Sequence, residues 1–588
     1  MTEEPASPEP TGQAAARASP SRRAEGLALL ICVLAGTLLS LYPHLRAWIE
    51  QGDPVFVADR DELEIYLPTA TRSYLEHPFR LADPVPRGGG RTMFPWQQLG
   101  PGVLLARALS WGPLGVSFAW RLLAGLLIGG LTYVTLRQRL RRPAVACVLT
   151  LFLLADLGLV FGKPLLYQLS ALLGLVRGDE ALLAGWPKLH ANWRLITPAL
   201  SWPWVLVACT LWLRLAERSS PKRRALAGVA LGALVAVYFY HWTAAALGLA
   251  LWFLLAPERR RDALHVAWIA VAVGLPALIA GSLLKAEAPP DWLVRSDKFV
   301  PIARTSELAF PKSAWALALI TFPWLWRRRR DLLPLACFAL GALLLLNHQL
   351  LSGLRIENWH WQYGYGPLLC LLLAFALGIE WERRWPKGPP RGLGVGVCLV
   401  AAAFVTSGLF LRHKGCESRL TRHLNQALGD YREHHQGRSR ELVAGQRDYV
   451  ACAAAVDGSR SLSGELLRFS PAVSLVTWEE REALNAALLG LTPGEFRRQQ
   501  ERALGESFFR GLVEATPGGL EEVLLRRIRH FQRARLDLAA TAERLGVQEL
   551  ALPLGASSAH LPRGWVRLRA GPRWEVWAPQ ASAPKRRE

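Results

Sequence analysis

Apolar residues in this chain come in blocks long enough to cross hydrocarbon, with the polar residues gathered between them. Runs at roughly 26–43, 115–136, 143–161, 195–213, 225–238, 242–256, 264–284, 313–326, 332–346, 366–379 and 392–411 predict about eleven membrane spans. Residues 225–256 read as one helix would extend about 48 Å, well past a hydrocarbon core of about 30 Å. A hairpin broken near Tyr238–Trp242 is therefore predicted. Beyond 412 the pattern changes. Charged stretches at about 417–435, 478–515 and 519–545 predict helices, and short apolar runs at Tyr449–Val456, Val473–Val476, Glu549–Leu552, Val566–Arg569 and Trp574–Trp577 predict strands. The fold class is thus mainly α: a polytopic membrane helix bundle over residues 25–412, then a soluble α/β domain over 413–588, large enough for its own core.

Composition agrees with the blocks. A chain of 588 residues that is 51% hydrophobic, with positive mean hydropathy, is not a soluble multidomain protein. Its formal charge of +22 would ordinarily suggest nucleic acid. Here, however, 20 basic residues sit in five interspan clusters, 137–142, 214–224, 258–262, 327–330 and 383–391, and all fall on one side of the membrane under this count. The positive-inside rule makes that side cytoplasmic, and no nucleic-acid partner is predicted. The N-terminal tail, residues 1–24, is predicted to be disordered and cytoplasmic, the first span an uncleaved signal anchor, and everything beyond 412 exported. Six of the eight cysteines lie in spans. Cys416 and Cys452 are the two predicted outside, where they are candidates for a disulfide, and no Cys/His metal spacing occurs.

Four segments on the exported side, 44–114, 162–194, 285–312 and 347–365, are too long and polar to be simple connectors. The first carries Asp59, Asp61, Glu62 and Glu64. Neighbouring carboxylates repel one another, which suits one of them to act as a general base or lets the group hold a divalent cation. A solvated acidic turn is the plainer alternative. In the second segment, Lys188, His190 and Arg194 stand beside Trp186 and Trp193, a set suited to a phosphate with a sugar stacked on an indole; interfacial tryptophans with snorkelling cations would look the same. The fourth concentrates Asn347, Gln349, Arg355, Trp359 and His360 at the outer end of a span, where such groups are costly unless they line a wet cavity. His241, at the hairpin tip, would face the same compartment.

The Asp61-Glu62 pair in the first exported loop with Tyr66 shortly after, the Asn347-x-Gln349-x-x-x-Gly353 core, Arg194-x-x-x-Pro198 and an exported C-terminal domain together resemble the GT-C superfamily of membrane glycosyltransferases. That superfamily includes the protein O-mannosyltransferases and the lipid A aminoarabinose transferases. The resemblance implies a bacterial-type plasma (inner) membrane enzyme whose donor is a polyprenyl-phosphate-linked sugar and whose acceptor is a lipid, glycan or protein. It implies a base among Asp61, Asp59 and Glu62, phosphate-binding groups among Lys188, His190, Arg194 and Arg355, and sugar or acceptor contacts from Asn347, Gln349, Trp359, His360 and His241. No cofactor beyond a divalent cation is implied. The competing class is a transporter or lipid flippase without covalent chemistry, although such proteins usually place charge at mid-membrane and show repeated halves, neither of which is evident here.

Overall fold

The structure is a computed structural model that describes residues 22–86, 90–155, 199–296, 300–356, 358–435, 442–505 and 510–580. Within those residues every apolar run is helical: Arg22–Gln51, Gly115–Arg137, Pro143–Ala155, Trp202–Glu217, Pro221–Ala233, Phe239–Leu255, Arg260–Glu287, Lys312–Arg328, Leu333–Leu345, Gln362–Arg384 and Arg391–Cys416. Five of these segments are long and apolar enough to cross a membrane by length and composition. The predicted hairpin break is present, as a 3-10 turn Leu234–Ala236 followed by an extended Tyr238 (φ −157°, ψ 124°). Small residues set the closest helix contacts. A Cβ on Gly36 would lie 2.5 Å from the carbonyl oxygen of Gly125, so the first span and Gly115–Arg137 pack backbone to backbone.

The five basic clusters gather at one end of the bundle. Arg139 pairs with Asp331 and donates to the Leu213 carbonyl, Arg214 donates to Gln138, Arg224 and Arg259 both pair with Asp262, and the backbone of Arg141 and Arg142 donates to Glu382. From Asp262 the helix Arg260–Glu287 runs to Lys285, about 35 Å away at 1.5 Å per residue, which is a full crossing. The opposite end therefore carries the long loops and the soluble unit.

That unit is built on a mixed five-stranded sheet. Numbering strands along the chain, β1 (Ala82–Asp83) and β2 (Gly90–Arg91) form a hairpin in the first loop, and β3 (Val300–Pro301) pairs with β4 (Leu354–Arg355), joining the third and fourth of the long polar segments. The large sheet has the order β6-β5-β7-β9-β8, from β5 (Leu442–Gly445), β6 (Arg460–Ser461), β7 (Glu549–Pro553), β8 (Trp565–Ala570) and β9 (Trp574–Pro579). β5 runs parallel to β6 and β7, and β9 runs antiparallel to β7 and β8. Strand alternation splits its side chains between two cores. Leu442, Ala444, Leu550 and Leu552 pack with Leu484, Phe496 and Phe531 of the domain's own helices. Val443, Ala551 and Val576 instead join Val57, Leu63, Leu67 and Trp120, so one face of the sheet shares its core with the first loop and the bundle.

Of the five strand expectations three hold and two are corrected by local chemistry. Glu549–Leu552, Val566–Arg569 and Trp574–Trp577 lie in strands, but Tyr449–Val456 lies within a helix, Arg447–Asp457. Four alanines favour the helix, and Gly458 closes it in the left-handed conformation (φ 68°). Of Val473–Val476, the first two residues lead into the helix Leu475–Leu488, capped by the Ser474 hydroxyl, and the last two form its first turn. The expected Cys416–Cys452 disulfide is absent: both are buried free thiols, one ending the last span and the other packed inside Arg447–Asp457.

The junction between first loop and soluble unit contains a titratable contact. Asp83, 2% exposed, accepts hydrogen bonds from the Ser470 hydroxyl and from the Val85 amide at 3.0 Å. Burial pushes its carboxyl up to about 6, against the pull of these bonds and of nearby Arg295 and Arg481. The folded state thus binds the proton more tightly than the unfolded chain, so this group's stabilising contribution is complete below pH ~4 and is lost as pH rises through ~6. Asp83→Asn, which cannot ionise, is expected to gain stability relative to the native protein on going from pH 4.5 to 7, by an amount on the order of 2–3 kcal/mol. Thermal unfolding of both proteins at the two pH values measures it, and an unchanged difference would refute the assignment.

Candidate functional site

At the loop end of the bundle a cavity of about 1150 Å³ opens between helices and soluble unit. The acidic stretch reaches it in an unusual way. Asp59 caps the turn, its carboxylate accepting the Glu62 amide at 2.8 Å, and Glu62–Tyr66 then forms a π-helical turn. In that geometry residues five apart share a face. Arg60 and Ile65, and Asp61 and Tyr66, accordingly line the cavity together.

The neighbouring carboxylates point elsewhere. Glu62 is fully buried against the bundle, where it pairs with Arg121 at 3.0 Å and accepts from the Ser117 hydroxyl and the Ala58 amide. Glu64 turns to the soluble unit, where the Arg447 guanidinium grips both its oxygens at 2.7 Å. Burial raises the Glu64 carboxyl above the ordinary range, and Arg447 and Arg60 act against that rise. Of the three expected bases, then, Asp61 lies on the cavity, Asp59 serves as a backbone cap and Glu62 as a buried anchor.

The rest of the wall comes from distant parts of the chain. Six cations, Arg60, Arg80, Arg91, Lys285, Arg447 and Arg468, and two carboxylates, Asp61 and Glu465, line the cavity; Arg60 and Arg447 pair with Glu64, Arg91 with Glu287 and Arg468 with Glu465. Ala277, Ala280, Gly281 and Leu284 of the helix that also carries Lys285, together with Val235, give the cavity an apolar wall. His360 enters from the fourth segment, its ring stacked on Tyr240 at 4.6 Å and bonded through Nδ1 to the Tyr238 hydroxyl. The hairpin tip and the fourth segment therefore meet at this cavity.

Other expected contacts have different tasks. The Asn347 amide clasps the backbone of Ala309 from both sides (2.8 and 2.9 Å), and Gln349 donates to the Ser306 and Glu307 carbonyls, so both pin the third long polar segment instead of lining the cavity. His241 is wholly buried in the bundle, with Nε2 3.0 Å from the Ser201 hydroxyl and its ring against Trp202. One residue past Tyr240, the helical rotation carries its side chain away from the cavity. Lys188, His190 and Arg194 lie outside the described residues, as do the side chains of Arg355 and Trp359. Among the described residues no group of three or more His, Cys, Asp or Glu is placed to hold a metal ion.

The sequence matches no protein-family model and no curated protein. The fold is nevertheless shared with a solved structure. It matches the crystal structure of ArnT from Cupriavidus metallidurans bound to undecaprenyl phosphate with a TM-score of 0.52 and 12% identity, over 95% of this chain and 99% of that one. More distant similarity extends to the oligosaccharyltransferase AglB from Archaeoglobus fulgidus, in complex with an inhibitory peptide and a dolichol-phosphate (TM-score 0.45, 12% identity, 90% of this chain and 69% of that one). It also extends to the mycobacterial arabinofuranosyltransferase AftD (0.44, 15%, 95% and 40%).

Proposed function

We propose that this protein is a membrane glycosyltransferase that moves a sugar from a polyprenyl-phosphate donor to an acceptor hydroxyl on the exported face. The carrying observation is the placement of Asp61 in a cavity lined by six cations and by an apolar wall. An isoprenoid chain suits the wall of Ala277, Ala280, Gly281 and Leu284, and its phosphate then falls among Arg80, Arg91 and Lys285. Asp61 takes the proton from the acceptor hydroxyl as that oxygen bonds to the sugar C1. The bond from C1 to the phosphate oxygen breaks with its electron pair, and the cations stabilise the charge left on the lipid phosphate. Attack opposite the leaving group inverts the anomeric carbon. Tyr66, Trp96 and Tyr240 offer ring faces to the sugar. The acceptor class, lipid, glycan or protein, is chosen at the same opening.

Orientation follows from charge. The end holding the five basic clusters is proposed to be cytoplasmic and the cavity and soluble unit exported, in a bacterial-type plasma membrane. A phosphatase fusion after Leu411 is expected to be active and one within Arg327–Arg330 inactive; the reverse pattern would invert the topology. The function itself is tested by mass spectrometry of lipid-linked sugars and surface glycans in a strain lacking the gene. A lipid-linked sugar should accumulate while one glycosylated product disappears. Unchanged pools of both, or redistribution of the lipid between leaflets with no lost product, would reject the transferase reading, the second outcome in favour of a flippase.

A further inference from the structure

The π-helical turn that carries Asp61 is held from two sides. On the bundle side Arg121 of Gly115–Arg137 fixes Glu62, and on the other side Arg447, the first residue of the helix Arg447–Asp457 in the soluble unit, fixes Glu64. Asp61 precedes the first of these anchors by one residue and the second by three. A bidentate guanidinium–carboxylate pair constrains angle as well as distance, because two parallel bonds resist rotation of the carboxylate plane. Arg447 is itself kept in place from behind: Glu465, three residues before the cavity-lining Arg468, lies 3.4 Å from its guanidinium. Along the same seam Asn425 exchanges two hydrogen bonds with the backbone of Val57, and Thr421 donates to the Ala58 carbonyl. The soluble unit thus grips the acidic stretch on both sides of Asp61, at residues 57–58 and again at residue 64.

We propose that Arg447 is a positioning residue for the transfer reaction: through Glu64 the soluble unit sets the direction in which Asp61 faces the cavity. This rests on the reading of Asp61 as the base. It assigns the soluble unit a task for which its own fold shows no separate chemistry, since the grip on the first loop makes transfer depend on the unit's docking. Arg447 lines the cavity as well, so the proposal must be separated from direct substrate binding.

The test is a double-mutant cycle on the full-length protein in proteoliposomes, with the glycolipid that accumulates in the deletion strain as donor. Arg447→Ala and Glu64→Gln are each expected to lower kcat at least 30-fold, with the donor KM changed less than threefold. Because both act through one contact, the double variant should be no more than about threefold worse than either single one. Arg447→Lys, which keeps the charge but not the fork, should recover part of the loss. Multiplying losses in the double variant, or a loss confined to KM, would overturn the proposal in favour of independent roles or direct binding. If Arg447→Ala does not fold, Glu64→Gln, with the same size and no charge, carries the test against Arg447→Lys. Asp61→Asn in the same assay separates the two levels: transfer lost there but normal in Glu64→Gln defeats the positioning role alone, whereas transfer retained by Asp61→Asn defeats the reading beneath it.

Discussion

Asp61→Asn is expected to abolish transfer, with a fall in kcat of at least about 10³-fold, while leaving the folded protein intact. Asparagine has the size of aspartate and keeps an oxygen that accepts hydrogen bonds, but it can neither take a proton nor carry charge. General-base catalysis contributes typically 10²–10⁴-fold, and the loss of the only negative group supplied to the cavity by the first loop adds an electrostatic penalty. Asp59→Asn serves as the comparison. Its carboxylate accepts the Glu62 amide at 2.8 Å, a bond that an asparagine oxygen can also accept, so its effect should stay within about tenfold. The assay is turnover of the isolated glycolipid donor in proteoliposomes, with thermal unfolding as the check on folding. Full activity in Asp61→Asn would remove the base from the proposed mechanism, and a larger loss at Asp59 than at Asp61 would move it by two residues.

That ordering of the two aspartates shows what a sequence conveys and what it withholds. The eleven helices were legible as apolar runs although five alone are long and apolar enough to cross a membrane, and the hairpin break was legible because one helix of 32 residues exceeds the hydrocarbon core. The acidic run was visible as a whole, but its three destinations were not. Asp61, Glu62 and Glu64 separate into cavity, bundle and soluble unit only because the turn is π-helical and because Arg121 and Arg447 stand where they do. Residues 121 and 447 are 326 apart in sequence, and no local pattern pairs them. The cavity cations escaped notice for a similar reason. Arg80 and Arg91 lie in the first loop well beyond the acidic run, and Arg447 and Arg468 belong to a unit whose helices are rich in arginine throughout.

Amides misled in a different way. Asn347 and Gln349 were conspicuous because polar groups at the end of a span need partners. Their partners are the backbone of residues 306–309, which a sequence cannot distinguish from a sugar. The signal was sound about need and silent about occupant. In the soluble unit, the alanine-rich run of Arg447–Asp457 was apolar enough for a strand and helical by propensity, and short apolar runs are ambiguous on periodicity alone. That helix matters here, because its first residue reaches Glu64.

The second large effect is expected at Arg295, on the third long polar segment. Its side chain is fully buried and donates to four backbone carbonyls of the soluble unit, those of Leu467, Arg468, Ser470 and Val473, while Arg468 donates back to the Arg295 carbonyl at 3.1 Å. Arg295→Ala leaves those carbonyls buried without their donors, each loss costing about 1–3 kcal/mol and the set less than the sum because the segment can relax. A net destabilisation of about 3–5 kcal/mol is expected for the junction, comparable to breaking one side of a buried charged contact. Since Arg468 and Phe469 also line the cavity, transfer should fall with it, and residues 464–473 should become cleavable by protease under native conditions. Arg497→Ala provides the comparison. Arg497 pairs with Glu501 at the surface, where water screens the charges, so that variant should match the native protein in both stability and cleavage. If Arg295→Ala unfolded at the native temperature and resisted the protease, the junction would be held by its apolar core alone, and the hydrogen bonds from Arg295 would count for little.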